Sequence, residues 1–186
     1  MTPDDVLRTL EARGAVLSGH FLLSSGKHSD RYVEKARIFE DPMLVRAFGE
    51  EIASWYADVQ TVVSPAVGAI PLGFAVAMAA GARFVYAERE GEVMTLRRGF
   101  RLEPRERVLV VEDVVTTGGS AAEVVELVRG SGAEALGVAA MVDRSPGDHP
   151  FTLRALARVD ADTFDPESCP LCAAGRPVSA PGSRHL

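Results

Sequence analysis

One segment of the chain combines residue types that could bind a phosphorylated sugar. Four consecutive apolar residues, 108–111, run into the adjacent carboxylates Glu112 and Asp113, and a turn rich in hydroxyls and glycine follows at 116–120. Small residues at the start of a helix leave backbone N–H groups free to hold a phosphate. The two carboxylates would repel a bare phosphate, so the ligand must also carry hydroxyl groups or bring a divalent cation. A phosphorylated sugar with free ring hydroxyls meets both requirements.

The elements that must position this segment alternate along the chain. Patterns typical of strands at 61–64, 83–87, 108–111, 135–142 and 152–159 are separated by helical patterns that include 70–80 and 120–129. Further helices are predicted at 4–13 and after Asp41-Pro42, and 15–40 is predicted to be a small irregular β region. Strands separated by helices predict an α/β fold with a mostly parallel central sheet flanked by helices. Ligands of such sheets bind where the strands end.

The domain organisation expected from this pattern is a single domain over 1–186. An N-terminal helix and hood would occupy 1–40, the α/β core 41–160, and a tail rich in Cys, Pro and Gly 161–186. This tail is expected to be extended and packed down, or partly disordered.

The composition and net charge favour a globular protein and argue against a nucleic-acid-binding or membrane-spanning one. Hydrophobic residues make up 47% and charged residues 25% of the chain, and the net charge is −6. These values are typical of a globular protein, and the negative charge argues against nucleic-acid binding. No apolar run reaches membrane-spanning length, and the N-terminal residues lack the pattern of a signal peptide. A cytoplasmic protein without membrane contact is expected.

The segment 108–120 resembles the signature of the type I phosphoribosyltransferases, which bind phosphoribosyl pyrophosphate (PRPP). The resemblance implies a type I phosphoribosyltransferase fold with a small N-terminal hood. It implies that Glu112 and Asp113 bind the ribose hydroxyls and could reach Mg²⁺, the expected cofactor, and that Asp113 is catalytic. The rest of the PRPP site would follow directly along the chain: Val114, Val115, Thr116, Thr117, Gly118, Gly119 and Ser120.

A second segment, 64–72, lies between a predicted strand and a predicted helix. Alone, it is typical of an ordinary strand-to-helix turn. Upstream of the PRPP signature, it resembles the pyrophosphate loop of the same family, in which small residues such as Ala66 and Val67 let backbone amides meet the leaving group.

The base is indicated by the N-terminal segment 20–32, which contains F-x-L-x-S-G-x-x-S. This string resembles the hood of the orotate phosphoribosyltransferases, but Ser24 stands where that family usually has lysine. Lys27 or His28 could supply the missing charge. The resemblance implies that orotate is bound by a set composed of Lys27, Tyr32, Thr116 and Arg144. A guanidinium fork suits a carboxylate or an imide edge.

The catalytic loop departs from the pattern of that family. The usual R-K-x-x-K-x-H-G string is missing after the strand near Val85, and only Arg89 matches one of its basic positions. Arg89 is therefore expected to be catalytic and to bind PRPP. Arg97 and Arg98 could bring cations from further along the loop, or they could form a solvated pair. The segment 89–100 is predicted to be a hairpin or a mobile loop that closes over the site.

The function implied is that of an orotate phosphoribosyltransferase, a pentosyltransferase that makes orotidine 5′-monophosphate and pyrophosphate from orotate and PRPP in pyrimidine biosynthesis. Catalysis would rest on positioning and charge stabilisation. The family resemblance also implies a homodimer. Two alternatives are a transferase for a purine or another base, and a PRPP-sensing regulator of transcription or RNA on the same fold.

The pair Cys169 and Cys172 is half of a zinc site. His149 and His185, from the same chain or a second subunit, are the candidate partners. Structural thiols, an incidental pair or a redox dithiol are the other interpretations.

Overall fold

The computed structural model describes residues 1–23 and 25–181. In chain order its elements are α1 (Pro3–Ala12), β1 (Val16–Leu22), β2 (His28–Val33), α2 (Ala36–Phe39), α3 (Pro42–Ala53), β3 (Thr61–Pro65), α4 (Ile70–Ala80), β4 (Arg83–Glu90), β5 (Val93–Leu96), β6 (Arg107–Val115), α5 (Gly119–Gly130), β7 (Glu134–Asp143), β8 (Leu153–Arg158), β9 (Thr163–Phe164), a 3-10 turn (Pro166–Ser168) and α6 (Pro170–Ala173).

The core is a six-stranded sheet in the order β5-β4-β3-β6-β7-β8. All neighbouring pairs are parallel except β4 and β5, which form an antiparallel hairpin at one edge. The prediction of an α/β fold with a mostly parallel sheet is confirmed. The segment after β4, predicted as a hairpin or a mobile loop, forms this hairpin.

The strand order reverses between β3 and β6, because the chain moves from β3 outward to β4 and then returns to the other side of β3. A reversal of this kind opens a crevice beyond the carboxyl ends of the two strands. The loops that leave β3 and β6 at this point are the two segments that the sequence singled out as candidate ligand sites.

Strand β6 is buried on both faces, which explains its continuous apolar run. Leu109 and Val111 pack into the core that α1, α3 and α4 contribute to, while Val108 and Val110 pack into the core that contains α5. Successive side chains of a strand point to opposite faces, so an unbroken apolar sequence is required here. The strand is therefore held rigidly on both sides up to the carboxylates at its end.

The end of α4 and the start of α3 follow common sequence signals. Helix α4 ends before Gly81, whose φ of 63° is the left-handed conformation that glycine adopts most readily. Helix α3 begins after Asp41, whose side chain accepts hydrogen bonds from the amides of Met43 and Leu44. None of the helices in the described residues is long and apolar enough to cross a membrane.

The hood is a separate three-stranded sheet in the order β1-β2-β9. Its third strand, β9, comes from the tail and was not predicted, whereas the strand predicted at 152–159 is present as β8. The region 15–40 is more regular than predicted, since β1 and β2 form an antiparallel hairpin and α2 follows. The tail packs against the hood as far as it is described, with Ser179 bridged to Phe21 of β1. The hood therefore unites residues from both ends of the chain.

Candidate active site

The loop between β6 and α5 forms an open helix N-terminus at the strand-order reversal. Gly118 precedes the helix with a φ of 76° and has no side chain to cap it; the amide of Gly119 is 3.4 Å from Oγ1 of Thr117. A Cβ at Gly118 would lie 2.5 Å from Nδ1 of His149, so only glycine fits there. Thr116 and Thr117 are exposed. The first-turn amides of α5 are thus directed towards a space in which an anion can be held.

The two carboxylates at the end of β6 are buried beside each other, with Glu112 8% and Asp113 4% exposed. Oε1 of Glu112 accepts from the backbone amide of Asp113 at 3.0 Å, and Oδ1 of Asp113 accepts from the amide of Val114 at 2.6 Å. Burial and, next, the charge of Asp113 raise the pKa of Glu112 well above its usual range. Hydroxyl donors or a cation would stabilise the ionised pair.

Lys35, which the sequence reasoning missed, supplies a cation to this pair. Its ammonium group forms an ion pair with Oδ2 of Asp113. It follows the hood strand β2 and precedes α2, a position without any motif that marks it. Its charge lies between the hood and the carboxylates.

Gly68, in the loop after β3, lies against the same ion pair. A Cβ on Gly68 would collide with Nζ of Lys35 and Oδ2 of Asp113. The loop 66–69 therefore approaches the carboxylates by backbone alone, as a pyrophosphate loop requires. Val67 at its tip is 78% exposed.

Arg144, just beyond the end of β7, contacts the hood. Its Nη2 donates to Oγ of Ser29 at 3.0 Å and to the carbonyl of Arg31 at 3.3 Å. Burial lowers its pKa, and the charges of Asp30 and Tyr32 oppose that shift. The structure thus joins the two features that the sequence assigned to the base, the hood and Arg144.

Tyr32 lies on β2, in the same part of the hood. Burial and, next, Glu34 raise its pKa, whereas Lys35 and Arg144 act in the opposite direction. Its ring lies 5.7 Å from that of Phe21. Tyr32 therefore shares its surroundings with Lys35 and Arg144.

Lys27 lies apart from this group. Its ammonium is 3.2 Å from Oδ1 of Asp165 in the tail, and both side chains are exposed. Ser24, where the family's usual lysine is replaced, lies outside the described residues.

Arg89 lies in β4 and is bound to helix α5, which begins within the segment 116–120, called here the phosphate loop. Its guanidinium donates to Glu123 of α5 at 2.8 Å and to the carbonyl of Glu92 at 2.7 Å. Arg98 forms two hydrogen bonds of 2.9 Å with Glu88, whereas Arg97 is exposed. Arg98 is therefore bound to Glu88 of the β4–β5 hairpin, whereas the side chain of Arg97 is exposed.

His149 does not join the cysteine pair of its own chain, so the expectation of a partner from the same chain was wrong for His149. Its Nε2 is 2.9 Å from Oγ of Ser145, and its ring stacks on Phe151 at 4.9 Å. The loop 144–152 is short and turns over the phosphate loop, which keeps His149 beside Gly118. His185, the other candidate partner, lies outside the described residues.

Comparison with known proteins agrees with this geometry. The phosphoribosyl transferase domain family matches residues 43–150. An orotate phosphoribosyltransferase of Thermotoga maritima is 51% identical over 181 residues, which cover 95% of this chain and 97% of the relative. One from Desulforamulus reducens is 45% identical over the full length of both proteins.

Among solved structures, the orotate phosphoribosyltransferase of Aeropyrum pernix superposes with a TM-score of 0.69 at 27% identity, covering 83% of this chain and 93% of that one. An adenine phosphoribosyltransferase of Rhodothermus marinus has a TM-score of 0.65 at 21% identity, covering 84% and 99%. The likeness to the adenine phosphoribosyltransferase shows the fold alone. The full-length relatives confirm the family that the sequence predicted. The chain belongs to the orotate phosphoribosyltransferases, within the family of phosphoribosyl transferase domains.

Proposed function

We propose that this protein transfers the 5-phosphoribosyl group of PRPP to orotate, giving orotidine 5′-monophosphate and pyrophosphate in pyrimidine biosynthesis. The observation that carries the proposal is the position of Arg144. Its guanidinium contacts the hood from the end of β7, the strand that pairs with β6 and its carboxylates. Full-length relatives named orotate phosphoribosyltransferase support the choice of base.

In this proposal PRPP spans the crevice between β3 and β6. The segment from Val114 to Ser120 holds the 5′-phosphate with backbone amides and hydroxyls. Glu112 and Asp113 accept hydrogen bonds from the ribose hydroxyls. On the other side, the loop with Ala66 and Val67 holds the pyrophosphate, and Gly68 gives that loop its close approach.

Orotate is held between the hood and the end of β7. The fork of Arg144 matches its carboxylate or imide edge, and Tyr32 and Thr116 flank the ring. Lys27 belongs to this set because it could supply the charge that the family's usual lysine provides at the position of Ser24. In its present position it is paired with Asp165, so this pair would have to open before Lys27 could approach the base.

The residues present suit Mg²⁺. Two adjacent, nearly buried carboxylates, one of them with a raised pKa, form an oxygen donor set that gains from a hard cation. When bound with PRPP, Mg²⁺ would neutralise charge on the pyrophosphate as it leaves. Glu112 and Asp113 are the residues that would hold it.

The chain contributes mainly charge and position to the reaction. As the bond from ribose C1 to the pyrophosphate breaks, the ring gains positive charge and the pyrophosphate gains negative charge. Asp113 stabilises the ring, while Lys35 and Arg89 offer cations on the pyrophosphate side. For Arg89 to reach it, the ion pair with Glu123 has to open, which fits movement of the β4–β5 hairpin.

A steady-state assay that follows the loss of orotate absorbance with PRPP and Mg²⁺ tests the function. We expect turnover with orotate and little with adenine, hypoxanthine, xanthine or uracil. Turnover with a purine and none with orotate would refute the proposal. Binding of PRPP without turnover on any base would instead indicate a regulator.

We also propose a homodimer built on α4. Phe74 and Met78 lie one turn apart on this helix and are 53% and 68% exposed, and Met43 on the adjoining α3 is 68% exposed. Such a concentration of large apolar side chains on neighbouring helices is typical of a subunit interface. The family resemblance points to the same assembly.

A further inference from the structure

We propose that the protein carries a structural zinc ion, bound by two cysteines of the tail and two histidines of the hood. The atoms that would bind it, one from each of His20, His28, Cys169 and Cys172, all lie within 4.8 Å of one another. Three of the four residues are buried and only Cys172 is exposed. This site is separate from the carboxylates proposed for Mg²⁺, and the reaction proposed above does not use it.

The distances fit a tetrahedral ion. Bonds of about 2.3 Å to sulfur and about 2.0 Å to nitrogen place neighbouring ligand atoms of zinc roughly 3.3–3.8 Å apart. Nε2 of His20 lies 3.5 Å from Sγ of Cys169 and 3.7 Å from Sγ of Cys172. Nδ1 of His28 lies 3.3 Å from Sγ of Cys172. The two nitrogens are closer, at 2.8 Å, and would separate by about half an ångström around a zinc ion.

The hydrogen bond on the far side of His20 orients the ring for metal binding. Nδ1 of His20 is 2.9 Å from the carbonyl oxygen of Arg176, an acceptor that requires the proton on Nδ1. Nε2 is then left with a lone pair, and it faces the other three ligand atoms. Metal-bound histidines usually donate their second N–H to a carbonyl or carboxylate in this way.

The backbone also presents the two sulfurs on one side. Cys169 precedes the short helix α6, Pro170 begins it, and Cys172 lies within it. The chain then turns at Gly175, which has a φ of 67°. The amide of Gly175 donates to the carbonyl of Cys172 at 2.9 Å. Two thiolates and two neutral imidazoles would give a zinc site without net charge, which suits a largely buried position.

Zinc at this position would fasten the tail to the hood. His28 lies in β2 opposite Phe164 of β9, so the metal would reinforce the short pairing of β2 with β9, which joins His28 to Phe164 and Ser29 to Thr163. Ser29, the next residue, accepts the hydrogen bond from Arg144. Loss of the metal is therefore expected to loosen the base side of the pocket, a consequence that rests on the proposed function.

Elemental analysis of the untagged protein, purified under reducing conditions without chelator, tests the site directly. We expect a single zinc ion per chain, and the same for His149→Gln, a matched histidine control outside the cluster. His28→Gln and Cys172→Ser should bind zinc at least ~100-fold more weakly. Because zinc content does not depend on catalysis, the result is separate from the test of transferase activity.

Cobalt titration of the metal-free wild-type protein provides a second readout, should either variant fail to fold. We expect the intense visible bands of tetrahedral Co²⁺ and a thiolate charge-transfer band in the near ultraviolet, both abolished by excess zinc. Zinc should also raise the melting temperature of the metal-free protein by at least ~5 °C. An octahedral cobalt spectrum without the charge-transfer band, or loss of zinc in His149→Gln but not in His28→Gln, would overturn the proposal.

Discussion

Replacing Gly68 with alanine tests how the loop after β3, the cation and the carboxylate work together. The added Cβ would overlap Nζ of Lys35 and Oδ2 of Asp113 and lie 2.8 Å from Cε of Lys35. The lysine is the partner that will move, because its side chain is 40% exposed whereas that of Asp113 is 5% exposed. Oδ1 of Asp113 is also fixed by the amide of Val114. The variant should therefore separate the ion pair.

The size of the effect follows from the charges. Two unit charges at ~4 Å interact with about 4 kcal/mol at an effective dielectric constant of about 20, and the exposure of Lys35 reduces this to about 2 kcal/mol. The incoming pyrophosphate would then face a carboxylate that lacks its cation. We expect kcat/KM for PRPP to fall ~30-fold, the equivalent of that free energy.

Gly130→Ala is the matched control, since a Cβ there has nothing within 4 Å. It should leave KM for PRPP unchanged and alter stability by no more than about 1 kcal/mol. Initial rates over a range of PRPP concentrations, with thermal unfolding to check the fold, give the comparison. A folded Gly68→Ala protein with kcat/KM within ~3-fold of the control would refute this account of the loop, because so small a change is only about 0.6 kcal/mol.

Other substitutions address the carboxylates, the base and the subunit contact. Asp113→Asn should lower turnover by at least ~10²-fold through loss of charge stabilisation; wild-type rates in the orotate assay would remove Asp113 from its role. Arg144→Ala should cost at least ~10²-fold in kcat/KM for orotate, and Arg144→Lys should restore little, because lysine lacks the fork; full rescue by lysine would argue against fork recognition. The raised pKa of Glu112 means that the folded state holds this proton more tightly than the unfolded state, so the free energy of unfolding should fall as pH rises above about 4.5. Glu112→Gln should reduce this dependence of the free energy of unfolding on pH, measured by thermal unfolding at several pH values, and should weaken PRPP binding. An unchanged pH dependence would contradict the burial argument. Phe74→Glu should shift the protein towards monomer in analytical ultracentrifugation, and an unchanged dimer would place the interface elsewhere.

The sheet and its phosphate loop could be predicted because their physical constraints are local. Strand β6 is buried on both faces and therefore reads as an unbroken apolar run before the carboxylates. Helix α4 was predicted with its observed bounds, since Gly81 at its end is a strong stop signal. Each of these signals lies within a few residues of the feature that it determines.

The remaining site residues are set by contacts between distant parts of the chain. Lys35 follows a hood strand without any motif, and only the approach of that strand to β6 brings it to Asp113. His20 and His28 were missed as partners of the cysteines because they face each other only once β1 and β2 pair as a hairpin. His149, a candidate partner of the cysteines, lies beside Gly118 instead, because its loop turns in that direction. The pairing of β1 with β2, which brings His20 beside His28, is the information that would have identified these two histidines.

The three-stranded hood also bears on how the chain is synthesised and folds. Its first two strands leave the ribosome early, but β9 is made only after the whole α/β core. The contact between His20 and Cys169 spans 149 positions, a long loop to close. The entropy of closing such a loop has to be overcome before the contact stabilises the fold. We therefore expect the nascent chain to complete the α/β core before the hood. A protein truncated before β9 would keep the core that carries the PRPP site but would lack the third strand of the hood over the base.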